Sequence, residues 1–109
     1  MRDLLEAAVQ KFNAKAQSDA KLQADLEGVE RKVLIQCKDG PQYSFVLKDR
    51  QIGPLNEGAI DAPDVTIISD TATLTALLKK EMGPMKAYAT QKLKIKASID
   101  DVLRLRKLF

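Results

Sequence analysis

The sequence predicts an α/β chain of the α+β kind, in which a mixed sheet of five strands is flanked by helices. Three observations carry that expectation. Apolar residues recur at spacings of three and four through the first 26 residues. The period then falls to two between Val33 and Leu47, and a strand, helix, helix, strand, helix order runs from Asp64 to the end. At 109 residues the chain is long enough for one core, so residues 1–109 are expected to form one domain. Its 45% hydrophobic and 30% charged residues are the balance of a soluble globule, not of a disordered or membrane-spanning chain.

Asp3 to Ala16 sets Leu4, Leu5, Ala8, Val9, Phe12 and Ala16 on one side of an amphipathic helix, with Asp3 and Glu6 at its positive end. Ser18 or Asp19 can cap a shorter second helix carrying Leu22 and Leu26, and Gly28 is its stop. Val33, Ile35 and Cys37 then alternate with mostly polar neighbours. After Asp39-Gly40-Pro41 the alternation resumes at Tyr43, Phe45 and Leu47, which reads as a hairpin. Arg50 to Leu55 supplies a short third strand that Gly53 and Pro54 confine to an edge or a bulge. Gly58 to Pro63 is loop. Asp64 to Ile68, apolar on both faces, is a central or doubly covered fourth strand.

Ser69 and Asp70 are placed as caps, and Leu74, Leu77, Leu78 and Met82 define a helix over Thr71 to Met82. Gly83-Pro84 breaks it, and Pro84 opens another short helix to Thr90. The fifth strand is Lys92 to Ala97. Its lysines mark the wet face of an outer strand and discourage edge pairing, while Leu93 and Ile95 face inward. Whether it runs parallel to the fourth strand is open. Ser98 caps a final helix, with Asp100 and Asp101 at its positive end and Arg104, Arg106 and Lys107 at its negative end. That helix is expected to close over the inner face of the sheet.

The chemistry-bearing inventory is thin. The chain has no histidine and only Cys37, which alternates as a small buried hydrophobe, so neither a zinc site nor an internal disulfide is expected. Ser18, Ser44, Ser69 and Ser98 lack a nucleophile-elbow setting, and the five glycines are too dispersed to cradle a phosphate. The paired acids Asp61 and Asp64, or Asp100 and Asp101, have the residue types for acid and base work, but loop solvation and helix-end electrostatics explain them more cheaply. No enzyme, metal or cofactor is implied. The 18 basic and 15 acidic residues are scattered through most of the chain and no aromatic residue is interleaved for base stacking, so no nucleic acid is implied either. Lys92, Lys94, Lys96, Arg104, Arg106 and Lys107 form the densest basic cluster. It reads as a solvated face, with phosphates or anionic lipid head groups as the functional alternative. No apolar run approaches the roughly 20 residues of a membrane span, and the amino terminus mixes Asp3 and Glu6 with Arg2 and Lys11, so the cytoplasm is the expected compartment.

Met82, Met85 and Tyr88 surround the Gly83-Pro84 break, and methionine suits adaptable pockets as well as cores. The ordered set Asp64-Val-Thr-Ile-Ile-Ser-Asp70, a Leu-rich helix, Gly83-Pro-Met-Lys-Ala-Tyr88, Lys92-Leu-Lys-Ile-Lys96 and a terminal amphipathic helix resembles the sterol carrier protein type 2 domain. The resemblance implies a five-stranded mixed sheet with helices packed mainly on one face. It also implies a tunnel between them for a fatty acid, acyl-CoA, phospholipid or sterol, and hence a non-enzymatic lipid-binding or transfer module without cofactor. By position, the tunnel lining would be Val65, Ile67, Leu74, Leu77, Leu78, Met82, Met85, Tyr88, Ile95, Val102, Leu103 and Leu108. Each of these also reads as dry core. The terminal helix would be the door, and Lys94, Lys96, Arg104 and Lys107 would meet a head group.

Where that family often has glycine on either side of the Lys-Leu-Lys-Ile strand, this chain has Gln91 and Ala97; both are compatible with ordinary strand geometry, so the fold is unaffected and a different turn shape at the two ends is left open. The chain ends in Leu108-Phe109, not a Ser-Lys-Leu-like tripeptide, so a peroxisomal address is not expected, and its small size without the family's usual terminal extensions leads to the expectation of a free-standing prokaryotic form. Transient contact with a membrane surface and a homodimer are both open. The rival reading is an interaction or dimerisation module of the same fold with a filled core.

Overall fold

The computed structural model describes residues 2–105. Arg2–Ser18 forms α1 and Ala20–Leu26 forms α2. α1 buries Leu5, Phe12 and Ala16, one stripe of its surface. Of the two candidate caps for α2 the aspartate serves: the Asp19 carboxylate accepts the Lys21 and Leu22 N–H groups at 3.0 and 3.1 Å. Gly28 follows α2 at φ +72, a left-handed conformation that glycine adopts freely.

Arg31–Cys37 is β1 and Tyr43–Lys48 is β2, antiparallel, with Val33 opposite Phe45 and Ile35 opposite Tyr43. Asp49 and Arg50, both at positive φ, turn the chain into β3, Gln51–Ile52, and Asn56–Glu57 forms β4. β3 and β4 run along the same side of β2. Leu47 pairs with Ile52 and Ser44 with Asn56, so Gly53, Pro54 and Leu55 stand against only Phe45 and Val46. The extra residue is a bulge, at the place where proline has no N–H to give a ladder. The outer line is fixed to α1 by Asn13, whose amide donates to the Ile52 carbonyl at 2.9 Å and accepts the Ile52 N–H at 2.7 Å. A side chain thus completes the edge hydrogen bonds of β3.

Val65–Ser69, β5, pairs parallel with β1, and Lys94–Lys96, β6, pairs antiparallel with β5. The order across the sheet is β3/β4, β2, β1, β5, β6, so the sheet is mixed and β5 lies inside it. Only three residues of the expected Lys92 to Ala97 strand join the ladder.

Thr71–Leu78 is α3 and Pro84–Ala89 is α4. The Asp70 carboxylate caps α3 through the Thr73 N–H at 2.7 Å. Ser69 does not cap. It is fully buried, and its hydroxyl donates to the Lys92 carbonyl at 2.8 Å, binding the end of β5 to the approach to β6. α3 also stops four residues before Met82. Lys80 takes φ +60, its N–H bonds Leu77 O at 3.1 Å, and the Glu81 N–H bonds Ala76 O at 2.8 Å. This is a Schellman ending with lysine where glycine is usual. α4 ends the same way: Gln91 sits at φ +61, its N–H bonds Tyr88 O at 3.1 Å, and the Lys92 N–H bonds Ala87 O at 2.9 Å. Gln91 therefore does not take the strand geometry open to it, because the end of the short helix needs a left-handed residue there. Ile99–Leu105 forms α5, with Ser98 Oγ accepting the Asp101 N–H at 3.2 Å.

One face of the sheet carries Val33, Ile35, Cys37, Tyr43, Phe45, Val65 and Ile67, and these form a single apolar cluster with Leu5, Phe12, Leu22, Leu26, Leu74, Leu77 and Ala87 from the helices. Leu34, which faces the other way, stands outside that cluster although it is buried. The helices accordingly cover one face.

Candidate functional site

The Gly83-Pro84 break leaves α4 only six residues long, and it is anchored by Ala87, which has no exposed surface. Met85 and Tyr88, three residues apart and so on one side of α4, are 55% and 48% exposed. The left-handed Gln91 then reverses the chain and lays β6 beside the end of α4. Between them is a recess of about 490 Å³ lined by Tyr88, Ala89, Gln91, Leu93, Lys94 and Ile95. Its size is ordinary for a small-molecule site, roughly 300–1,000 Å³. Leu93, Ile95 and Ala89 give it apolar walls, and Lys94 gives it a cation. Ile95 is the cross-strand neighbour of Ile67, which has no exposed surface, so the recess lies at the margin of the core. β6 is the last strand of the sheet among the described residues, so its outer edge borders the recess without a further strand.

The residues expected to line a tunnel fall in different places. Tyr88 and Ile95 are in the recess and Met85 is exposed one turn away along α4. Val65, Ile67, Leu74 and Leu77 are at most 2% exposed, and Leu78 and Met82 pack against them from partly buried positions. Val102 is half-buried on α5. Leu108, together with Arg106, Lys107 and Phe109, lies outside the described residues, as do the side chains of Leu103 and Arg104. Ala89 and Gln91 belong to the recess without having been singled out as lining. Only the reversal after α4 brings them there, and no glycine announces that reversal.

α5 is tied to the sheet by an ion pair. Arg31 Nε at the start of β1 lies 3.0 Å from both carboxylate oxygens of Asp101, while the Arg31 Nη1 donates to the Glu30 carbonyl at 2.8 Å. The acid read from sequence as a helix-end charge is thus also a clasp. A second polar cluster joins the β1–β2 turn to α3: the Asp39 carboxylate accepts the Thr71 N–H at 2.8 Å and its hydroxyl at 2.9 Å, and Thr71 Oγ1 lies 3.0 Å from Cys37 Sγ. Those bonds hold the Asp39 carboxyl below its ordinary 3.8. Asp70 is lowered likewise by Thr73. Carboxylates occupied in this way fasten loops to helices and are poorly placed to move protons. Among the described residues no group of three His, Cys, Asp or Glu side chains is arranged to hold a metal, and no helix is long and apolar enough to cross a membrane.

Solved structures share the fold. Sterol Carrier Protein 2 Like 2 from Aedes aegypti is 18% identical, with a TM-score of 0.64 over 99% of this chain and 98% of its own; the same mosquito protein has also been solved in palmitated form. The ubiquinone synthesis protein UbiJ-SCP2 is 14% identical, with a TM-score of 0.66 over 94% of this chain and 85% of its own. A stereoselective inverting sec-alkylsulfatase from Pseudomonas sp. is 14% identical over 79% of this chain, with a TM-score of 0.63, but this chain spans only 14% of that enzyme. No curated protein matches the chain. The match that decides its family covers nearly all of it: over residues 9–109, the chain belongs to the SCP-2 sterol transfer family.

Proposed function

We propose that the protein binds a single-chain lipid or similar hydrophobic ligand without chemical turnover, and transfers it, as a cytoplasmic carrier of a prokaryote. The observation that carries this reading is the recess between α4 and β6, where the apolar residues Leu93, Ile95, Ala89 and Tyr88 share the lining with Lys94. An acyl chain laid against those walls gains roughly 0.8 kcal/mol for each methylene removed from water, while Lys94 meets a carboxylate or phosphate. Family membership supports lipid as the ligand class. The palmitated mosquito relative gives fatty acid as the first ligand to try. Val65, Ile67, Leu74, Leu77, Leu78, Met82, Met85 and Val102 belong to the reading as the lining reached by a ligand that passes beyond Ile95.

One observation favours a second reading. Val65, Ile67, Leu74 and Leu77 are at most 2% exposed, as an interaction or dimerisation module with a filled core requires. Native mass spectrometry with palmitate and palmitoyl-CoA separates the two. A carrier shows a 1:1 adduct that is weakened in Lys94→Ala and lost in Ile95→Glu, both checked for folding by circular dichroism. No adduct with either lipid, or a dimer that takes up none, sinks the carrier reading.

A further inference from the structure

Charge is distributed unevenly along this chain. Residues 79–96 hold six lysines and one acid, Glu81, for a balance of +5. The other 91 residues hold 12 basic against 14 acidic side chains, a balance of −2. The protein's whole positive surplus therefore resides in the segment that ends α3, forms α4 and supplies β6. All six lysines, at 79, 80, 86, 92, 94 and 96, are exposed, and none of them makes an ion pair among the described residues. Lys80 also lies against Lys11 of α1, whose competing hydrogen bond and like charge hold the Lys80 ammonium below its ordinary value, so the basic field extends onto α1. Uncompensated like charge at one place destabilises a monomer slightly and calls for a counter-charge from outside.

The same segment also exposes apolar side chains. Met85 and Tyr88 project from one side of α4 and are about half exposed, although both are side chains that normally gain by burial. Lys94 and Tyr88 line one recess, so the cationic edge of the sheet and the apolar side of α4 are continuous. A phenol ring and a thioether exposed in a lysine-rich segment suit the boundary of a lipid bilayer, where the rings enter the head-group layer and the ammonium groups meet phosphates.

We propose that the face formed by residues 79–96 docks the protein onto the surface of an anionic lipid bilayer, with the α4–β6 recess opening toward the membrane. The purpose of such docking rests on the lipid-carrier reading; its test does not. A second copy of this face would repel the first lysine for lysine, which argues against a symmetric dimer through it.

The test is sedimentation with vesicles of phosphatidylcholine alone and of phosphatidylcholine with 30% phosphatidylglycerol, at low and at high salt. The wild-type protein should pellet with the anionic vesicles only, and salt should release it. The triple variant Lys86→Glu, Lys92→Glu, Lys96→Glu should partition at least 100-fold more weakly, since each surface lysine contributes roughly fivefold. Lys15→Glu, Lys21→Glu, Lys48→Glu changes net charge by the same amount elsewhere and should retain most of the binding. Met85→Ser tests the apolar contribution and should weaken binding several-fold with the charge unchanged. Equal loss in the two triple variants, equal binding to neutral vesicles, or no vesicle binding at all overturns the proposal; the last would leave an acidic protein as the partner for this face. Palmitate uptake in vesicle-free solution, measured on the wild type and on the Lys15→Glu, Lys21→Glu, Lys48→Glu variant, is expected in both. Its absence in the wild type would count against the carrier reading and leave the docking result standing.

Discussion

Cutting the Arg31–Asp101 clasp should loosen α5 by an amount that the geometry sets. Arg31 Nε stands 3.0 Å from each Asp101 oxygen; the Asp101 side chain is 8% exposed and that of Arg31 36%. Hydrogen bonds to charged groups contribute about 1.5–3 kcal/mol. Here one N–H is shared between two oxygens instead of two N–H groups forming a fork, which points to the lower end of that range. Water at the guanidinium lowers the value further, whereas the burial of the carboxylate raises it. We expect a double-mutant cycle over Arg31→Ala and Asp101→Asn, measured by urea unfolding at pH 7, to return a coupling of about 1.5 kcal/mol. Hydrogen exchange at the Val102 amide, which bonds the Ser98 carbonyl at 3.0 Å, should accelerate in either single variant. A coupling below about 0.5 kcal/mol, the value of an ordinary surface pair, would refute the reasoning, as would unchanged exchange at Val102.

Three further expectations follow from local geometry. Lys80→Gly and Gln91→Gly should each stabilise the protein by roughly 0.5–1 kcal/mol, because both positions hold left-handed residues at helix ends; thermal melts that fall instead of rising would contradict this. Asn13→Ala should cost about 2 kcal/mol through the two hydrogen bonds it makes to Ile52, and Asn13→Asp should not restore the loss, since a carboxylate cannot donate to the Ile52 carbonyl. Asp39 has its folded value lowered below 3.8, so its contribution is fully present above that pH and is lost as pH falls through the folded value; the stability gap between the wild type and Asp39→Asn should therefore narrow on acidification, and a constant gap would show that the Thr71 bonds do not favour the charged form.

The periodic parts of the chain were legible because burial acts on them through one face. The 3.6-residue stripe of α1 and the alternation of β1 and β2 both reach the same core cluster. The bulge at Gly53-Pro54 was legible because proline cannot feed a ladder. Helix ends were read less well. Gly28 announces its own left-handed turn, but Lys80 and Gln91 perform the same task with side chains that carry no such signal, so the spacing draws α3 four residues too long and gives no sign of the left-handed turn at Gln91. Asn13 and Arg31 went unread for another reason: each acts on a partner 39 or 70 positions away, and neither local spacing nor propensity encodes that distance. The site followed the same division. Tyr88 and Ile95 carried apolar and positional signals, whereas Gln91 entered the recess only through the turn it forms.

How deep a ligand goes is decided by a competition between methylenes and side chains. The recess ends at Leu93, which is 1% exposed, and at Ile95, beyond which lies Ile67. Each methylene that leaves water contributes roughly 0.8 kcal/mol, but moving a packed leucine out of the core costs about 2–5 kcal/mol by the measure of large-to-small substitutions. A chain must therefore bury roughly three to six methylenes beyond the recess before displacing one such residue becomes favourable. Short fatty acids should gain about fourfold in affinity per carbon while the recess fills, and then gain nothing. Long ones should resume the gain only when the core opens, and opening should be easier in Arg31→Ala if the route runs under α5. Titration of saturated fatty acids from eight to sixteen carbons reads this directly. A plateau that extends to sixteen carbons in both proteins confines the ligand to the α4–β6 recess. A renewed rise, accompanied by methyl shifts at Ile67 and Leu77, means that the ligand has taken the place of core side chains between sheet and helices.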